Sequence, residues 1–150
     1  MRLVDILDKP LIKVNMVATE RDEALEELVD VLARAGRVSD HKGCVEALLA
    51  REAQQTTGVG SGVAIPHAKH PSIEKLTLAL GISKDGIEFD AIDDRPVNTV
   101  FLLMAPVNDP GSNVQALAEI ARLVRIPGFL NKIAQAKSAE DVLAIIKAEE

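Results

Sequence analysis

Aromatic residues are nearly absent from this sequence of 150 residues. They make up 2% of the chain, with three Phe, no Trp and no Tyr, whereas hydrophobic residues of all kinds make up 47%. The core must therefore be built from aliphatic side chains. Proteins that bind single-stranded nucleic acid use aromatic side chains as stacking platforms, so the shortage of aromatics argues against that class of ligand.

Runs of basic residues are also missing, and the formal net charge is −6. A protein that binds duplex DNA needs a dense basic patch to displace counterions, and an acidic chain is repelled by anionic membranes. No nucleic-acid partner is therefore expected. The sequence has no apolar run of 18 residues and its first ten residues lack a signal-peptide core, so direct membrane insertion is not expected either.

Only one cysteine is present, Cys44, so no internal disulfide can form. This favours a reducing compartment, and a cytoplasmic location is the expectation. Cys44 shares helical spacing with Leu48 and is predicted to be a small buried side chain. The chain length predicts one domain, residues 1–150, which can bury about 70% of the surface that its unfolded chain exposes.

Three segments have the composition of β-strands: residues 11–16, 76–83 and 97–105. The last of these is nearly all apolar, which is typical of a strand buried on both faces. Asp85-Gly86 is a turn signal, and residues 87–89 are predicted to pair back as the arm of a hairpin. A second turn is predicted at residues 93–96.

Segments with helical spacing of apolar residues alternate with the strands. Each begins near a residue that can cap a helix N-terminus: Thr19, Ser39 or Asp40, Ser112 or Asn113, and Ser138. A short helix is predicted after Pro127-Gly128. The helix near residue 112 is expected to bury Val114, Leu117, Ile120, Ala121 and Val124. The alternation predicts an α/β fold, a three-layer sandwich with helices on both faces of a mixed, mostly parallel sheet.

The segment from residue 57 to residue 67 contains most of the chemistry in the sequence. Three alternating glycines, from Gly58 to Gly62, leave a backbone without side-chain cover, so several N–H groups can turn toward one anion. Pro66 fixes the backbone directly before His67. A neutral imidazole is nucleophilic near pH 7, because its unperturbed pKa is about 6.5. We therefore expect His67 to lie beside backbone donors, as a phosphoryl acceptor requires.

Taken alone, these residues leave simpler interpretations open. A single G-x-G-x-G stretch is more often a turn, and it fits neither the Rossmann fingerprint nor the P-loop. A single loop histidine is more often a surface residue. His67 and His70 have an H-x-x-H spacing that also occurs in metal sites, but no cysteine pair or nearby carboxylate completes a tetrahedral set. No metal and no cofactor is predicted.

The motif R-E at Arg51-Glu52, followed by TGVGSG at residues 57–62 and VAIPH at residues 63–67, is specific. It resembles, without gaps, the signature of the fructose- and mannitol-type enzyme IIA domains of the bacterial phosphotransferase system and their nitrogen-regulatory relatives. Residues 87–97 resemble the hairpin and the D-x-x-P-V segment of this family. The resemblance covers residues 3–146.

The resemblance implies that His67 accepts phosphate from the histidine-containing phosphocarrier protein. The phosphate then passes to a IIB domain, or the phosphorylation state of His67 regulates a partner. Arg51 would neutralise charge beside the phosphoryl group, although a plain surface arginine stays open as an alternative. Thr57 would donate its hydroxyl to a phosphoryl oxygen or cap the turn. A soluble protein that serves a membrane transporter from solution is expected.

Two positions depart from the family pattern. Family members commonly have a second histidine at the start of the helix after the A-P strand, where this chain has Asn113. Asparagine can donate a hydrogen bond to a phosphate oxygen or to His67, but it cannot become cationic. Ser61 stands where some relatives have a carboxylate. A serine should disfavour the phosphorylated state less than a negatively charged side chain would. The alternative function is a non-catalytic regulatory or interaction module of the same fold, with limited or no phosphotransfer.

Overall fold

The computed structural model describes residues 1–150 as a six-stranded sheet with five α-helices. The strands are β1 (Ile12–Lys13), β2 (Gly58–Gly60), β3 (Val63–Ala64), β4 (His67–Lys69), β5 (Thr77–Ile87) and β6 (Val97–Ala105). The helices are α1 (Arg21–Arg34), α2 (His41–Gln54), α3 (Ser112–Val124), α4 (Phe129–Ala134) and α5 (Ala139–Ala148). Two short 3₁₀ helices, Leu3–Asp5 and Lys9–Leu11, precede β1. No helix combines the length and apolar character needed to cross a membrane.

The sheet is mixed and is organised around β6. One edge of β6 pairs antiparallel with β5, and its other edge pairs in parallel first with β3 and then with β4. β1 extends the sheet in parallel beyond β5, and β2 lies antiparallel to β3 at the opposite edge. The predicted mixed sheet is confirmed, although its longest pairing, β5 with β6, is antiparallel. His67 lies opposite Leu103, so β4 begins beside the second half of β6.

Both faces of the sheet are covered by helices. α1 and α2 pack against each other and against β5 and β4, whereas α3, α4 and α5 form a second group against β6, β5 and β1. Every residue from Thr99 to Ala105 is at most 1% exposed. Successive side chains of a strand point to opposite faces, so β6 is buried on both, and the predicted three-layer α/β arrangement is confirmed.

The N-terminal caps of α2 and α5 follow the prediction, but that of α1 does not. The Asp40 carboxylate accepts from the Gly43 N–H, and the Ser138 hydroxyl accepts from the Asp141 N–H. α1 begins at Arg21, because the backbone of Thr19 and Arg21 pairs with Glu88 and holds this segment extended. Thr19 is therefore not the cap.

The hairpin predicted at Asp85-Gly86 was wrong. β5 continues through this dipeptide, and its register with β6 jumps from Ile82 opposite Thr99 to Ile87 opposite Val97. Residues 83–86 therefore bulge opposite a single residue of β6, and Gly86 supplies the positive φ of 89° that the bulge needs. The chain reverses later, within residues 90–96, which includes the predicted turn at residues 93–96.

The predicted buried face of α3 is confirmed only in part. Ile120 is buried as predicted, together with Ala116 and Leu123, whereas Val114 is 66% exposed and Leu117, Ala121 and Val124 are half-buried. Apolar residues occur on more than one face of this helix, so their spacing alone does not fix its rotation against the sheet. The first strand is also shorter than residues 11–16, because the chain enters it from a 3₁₀ helix that ends at Leu11.

Candidate functional site

The imidazole of His67 is held in one orientation by its own backbone segment. The parallel partner of β6 is interrupted at Ile65 and Pro66, between β3 and β4, and the Pro66 carbonyl accepts from the Leu103 N–H at 2.9 Å. Nδ1 of His67 lies 2.8 Å from the carbonyl oxygen of Ile65. A carbonyl oxygen can only accept, so Nδ1 carries the proton and Nε2 keeps the lone pair. Nε2 is therefore the nucleophilic nitrogen of this half-buried ring.

A pocket of about 230 Å³ lies beside His67. It is bounded by the end of α2, the segment before β2, the glycine-rich hairpin and α3, and its lining residues are Arg51, Gln55, Thr56, Thr57, Val59, Ile65, His67 and Leu117. The pocket therefore combines one imidazole, one guanidinium and two threonines with an aliphatic rim.

Arg51 is the cation of this pocket. Its Nη1 donates to the carbonyl oxygen of Gln55 at 2.9 Å, which ties the guanidinium to an otherwise unpaired carbonyl just beyond the end of α2. No carboxylate of the chain forms an ion pair with it. Since a guanidinium has five N–H donors, Arg51 keeps donors free for an anion in the pocket.

Thr57 is bound to a buried carboxylate. Its hydroxyl donates to Oε1 of Glu52, and its N–H donates to Oε2 of Glu52 at 3.1 Å. Both residues are only 4% exposed. The hydroxyl proton is engaged inside the protein, so a phosphoryl oxygen would have to displace Glu52 to receive it. The pair fixes the segment that connects α2 to β2.

Glu52 has a role that the sequence analysis did not assign. It lies on the buried face of α2, four residues after Leu48 and eight after Cys44, and all three residues are buried. A carboxylate in an apolar helix stripe needs hydrogen-bond partners, and Thr57 supplies two of them. The spacing from Cys44 was the signal that could have marked Glu52 as a buried, partnered group.

Ser61 and Asn113 do not line the pocket. Ser61 is exposed in the turn between β2 and β3, and its N–H donates to Oδ2 of Asp93 at 3.0 Å. Asn113 lies in the first turn of α3, where its N–H donates to Oδ2 of Asp109 at 2.8 Å. Leu117, one turn later, is the residue through which α3 reaches the pocket. The roles expected of these two residues stay predictions.

The alternating glycines form a tight hairpin rather than a cradle of N–H groups. Gly60, Ser61 and Gly62 all have positive φ, as the turn between β2 and β3 requires. A Cβ at Gly58 would lie 2.9 Å from Cα of Ala91. The Gly58 N–H donates to the Thr56 hydroxyl at 3.1 Å. These glycines therefore permit a sharp turn and a close approach to the next loop.

His70 and Cys44 lie away from the pocket, between α2 and the end of β4. Nδ1 of His70 accepts from the Ser72 N–H at 3.1 Å, and its Nε2 lies 3.7 Å from Oδ2 of Asp40. Cys44 is buried, as predicted, and burial raises the pKa of its thiol. No group of three or more His, Cys, Asp or Glu side chains is arranged to hold a metal ion.

Comparison with known families identifies the family of the chain. Residues 5–149 match the family described as "Phosphoenolpyruvate-dependent sugar phosphotransferase system, EIIA 2". The chain belongs to this family. The resemblance inferred from the sequence is thereby confirmed, and the chain has the general role of a phosphotransferase-system component that carries phosphoryl groups or regulates.

Three EIIA relatives illustrate the similarity. A fructose-specific EIIABC component of Bacillus subtilis is 34% identical over 146 residues, which are 97% of this chain but only 23% of that protein. A fructose-specific EIIA component of Haloferax volcanii is 37% identical over 89% of both chains. The crystal structure of nitrogen regulatory protein IIA-Ntr from Neisseria meningitidis superposes with a TM-score of 0.88 at 31% identity, covering 96% of this chain and 98% of that one. The family thus includes both sugar-specific and regulatory members.

Proposed function

We propose that Nε2 of His67 accepts a phosphoryl group from the histidine-containing phosphocarrier protein and passes it to a IIB domain or uses it as a regulatory signal. The observation that carries the proposal is the 2.8 Å contact between Nδ1 of His67 and the Ile65 carbonyl. This contact leaves the ring lone pair on Nε2, in a residue that lines an open pocket.

The transfer step follows from this geometry. The Nε2 lone pair attacks phosphorus, a P–Nε2 bond forms, and the bond from phosphorus to the donor imidazole breaks and returns its electron pair to that ring. The Nδ1 proton stays on Nδ1, so the phosphorylated ring of His67 is cationic. The Ile65 carbonyl stabilises that charge by accepting the proton's hydrogen bond. In onward transfer a nucleophile of the acceptor attacks phosphorus and forms a new bond to it, the P–Nε2 bond breaks, and its electron pair returns to Nε2 of His67.

Arg51 supplies charge neutralisation in this proposal. The transferred group carries negative charge on its three equatorial oxygens, and catalysis depends on positioning and electrostatic stabilisation. The guanidinium is held by Gln55 and has no competing carboxylate. Thr57 acts differently: with Glu52 it holds the segment that carries Gln55 and Thr56 along the pocket.

The rim of the same pocket has apolar side chains that a partner domain can contact. Val59 is 49% exposed and lies on the rim with half-buried Leu117. The Bacillus subtilis relative is named for joined A, B and C components, which supports a IIB domain as the acceptor from this chain.

A regulatory role without efficient onward transfer is the second candidate. It is favoured by the 31% identity to a nitrogen regulatory protein. It is also favoured by Asn113, which stands where family members commonly have a second histidine and which does not line the pocket. His67 would then be phosphorylated as a signal, and the phosphorylated and free forms would differ in partner binding.

Reconstitution tests the proposal. The protein is incubated with phosphoenolpyruvate, enzyme I and the phosphocarrier, and its intact mass is measured. We expect a gain of one phosphoryl group, none in His67→Ala, and a full gain in the matched control His70→Ala. Subsequent loss of the group to an added IIB domain favours transport, and its retention favours regulation. Full labelling of His67→Ala would refute the assignment.

A further inference from the structure

A second pocket, separate from that of His67, lies between the end of α1, the start of α2 and the loop that leads into β5. Its volume is about 130 Å³ and none of its lining residues is hydrophobic. Besides Gly36 it is lined by Arg37, Ser39, Ser72, Glu74, Lys75 and Thr77. It shares no residue with the pocket of His67.

The Thr77 hydroxyl is a buried group that has no hydrogen-bond partner within the protein chain. Thr77 is only 1% exposed, and its hydroxyl is the one buried side-chain polar atom of the chain that has no hydrogen-bond partner. Buried polar groups are nearly always paired, and an exception calls for an explanation. A ligand that accepts a hydrogen bond from Thr77 would explain it.

The other polar groups of the pocket are mostly cations and donors. Arg37 uses Nη2 to bind Oδ2 of Asp8 at 3.2 Å, which leaves its other N–H groups free. Lys75 is exposed and forms no ion pair, and Ser39 is exposed as well. Ser72 is occupied, since its hydroxyl lies 2.7 Å from Nδ1 of His70.

Donor groups and size together define the ligand. The charge of Arg37 is matched by Asp8 and that of Lys75 by Glu74, so the pocket is close to neutral, and its preference for an anion comes from the N–H and O–H donors that Arg37, Lys75, Ser39 and Thr77 bring to it. A water molecule occupies roughly 30 Å³ in the liquid, so 130 Å³ has room for one tetrahedral anion. We infer that this pocket binds a small phosphate-type oxyanion, either as the free ion or as the end group of a small phosphomonoester.

Amide chemical shifts measure this binding directly. Inorganic phosphate and glycerol 3-phosphate are titrated separately into ¹⁵N-labelled protein, with the ionic strength held constant by chloride. We expect saturable shifts at the amides of Gly36, Arg37, Lys75 and Thr77, and the same shifts in His67→Ala. Tighter binding of glycerol 3-phosphate identifies an ester end group, and binding of phosphate alone identifies the free ion.

Four variants test the assignment. Thr77→Val removes only an unpartnered hydroxyl, so it should fold normally and raise the dissociation constant about tenfold or more, since a hydrogen bond to a charged group is lost. Lys75→Gln should weaken binding several-fold, Glu74→Gln should tighten it, and the control Lys132→Gln should leave it unchanged. The inference is overturned if neither phosphate nor glycerol 3-phosphate causes a saturable shift at these amides, or if Thr77→Val and Glu74→Gln both bind as wild type does.

Discussion

At the scale of single residues, the site depends on side chains that are fixed by backbone carbonyls. Nδ1 of His67 donates to Ile65, and Nη1 of Arg51 donates to Gln55. Each contact uses a carbonyl near the end of a secondary-structure element. Nε2 of His67 and the other N–H groups of Arg51 are left without a partner in the protein, and both residues line one pocket. The consequences of both contacts can be measured.

Replacing Arg51 should slow phosphorylation without unfolding the protein. Arg51→Gln keeps the length and a donor but loses the charge that faces the transferred group, and removing one such stabilising group typically costs roughly 10²-fold in rate. The rate of phosphate incorporation from the phosphocarrier checks this expectation. Arg34→Gln, on the exposed face of α1, is the control and should keep the wild-type rate. An unchanged rate in Arg51→Gln would show that Arg51 is a plain surface residue.

Thr57 should contribute to stability through Glu52. Thr57→Val leaves one oxygen of a buried carboxylate without its partner, which costs about 1–3 kcal/mol. Thr19→Val is the control, because it removes a hydroxyl that donates to Glu23 at an exposed site. Such a substitution changes the free energy of unfolding by about 0.5 kcal/mol or less. Urea unfolding of both variants measures the difference. Equal losses would contradict a special role for the buried pair.

Sequence motifs identified His67 and Arg51, but not the contacts that position them. A motif names residues that occur together, whereas Glu52 became apparent only once Thr57 was seen bound to it. Ser61 and Asn113 were chosen because they depart from a family pattern. Their backbone N–H groups bind Asp93 and Asp109 instead. Asp93 is 32 residues from Ser61, so the local sequence does not encode that pairing, whereas Asp109 is four residues before Asn113 and pairs with it locally at the start of α3.

At the scale of elements, two irregular strands shape the site. The parallel partner of β6 is interrupted between β3 and β4, so that His67 begins a new strand. On the opposite side of β6, β5 contains the bulge at residues 83–86. The sequence predicted β6 to the residue, because a strand buried on both faces is uniformly apolar. It could not predict the bulge, because Asp-Gly is equally typical of a hairpin turn.

Two glycines with similar backbone conformation should respond differently to alanine. Gly36 and Gly86 have φ of +77° and +89°, but a Cβ at Gly86 would lie 2.7 Å from Cβ of Pro96, whereas Gly36 has open space. Gly36→Ala should cost about 1–2 kcal/mol for the left-handed backbone alone. Gly86→Ala should cost about 1–3 kcal/mol more, because the added methyl group overpacks the bulge. Equal unfolding free energies for the two variants would contradict the close contact.

At the scale of the whole molecule, the two ends of the chain are joined. The Glu150 carboxylate accepts from the N–H groups of Leu3 and Val4, at 2.7 and 3.2 Å. Next to it, Arg122 binds Glu119 through two N–H groups. Burial raises the pKa of Glu150, and the hydrogen bond from Arg122 lowers the pKa of Glu119 from its ordinary 4.5 to about 2.

The stability that Glu119 contributes should disappear in acid. Because its pKa is lower in the folded state, the contribution is fully present above pH 4.5 and is lost as the pH falls toward about 2. Glu119→Gln should therefore be destabilised relative to wild type near neutral pH, and the gap should narrow across this window. Urea midpoints at a series of pH values measure the gap, with exposed Glu46→Gln as the control. A gap that stays constant down to pH 2 would contradict the contribution of Glu119.

The nitrogen that carries the phosphoryl group tests the central claim most directly. The protein labelled with ¹⁵N in histidine is phosphorylated with phosphoenolpyruvate, enzyme I and the phosphocarrier, and the coupling between phosphorus and the ring nitrogens is recorded by NMR. The bond between Nδ1 and the Ile65 carbonyl predicts that phosphorus is attached to Nε2 of His67, with a proton still on Nδ1. Attachment to Nδ1, or to any other histidine, would contradict the account.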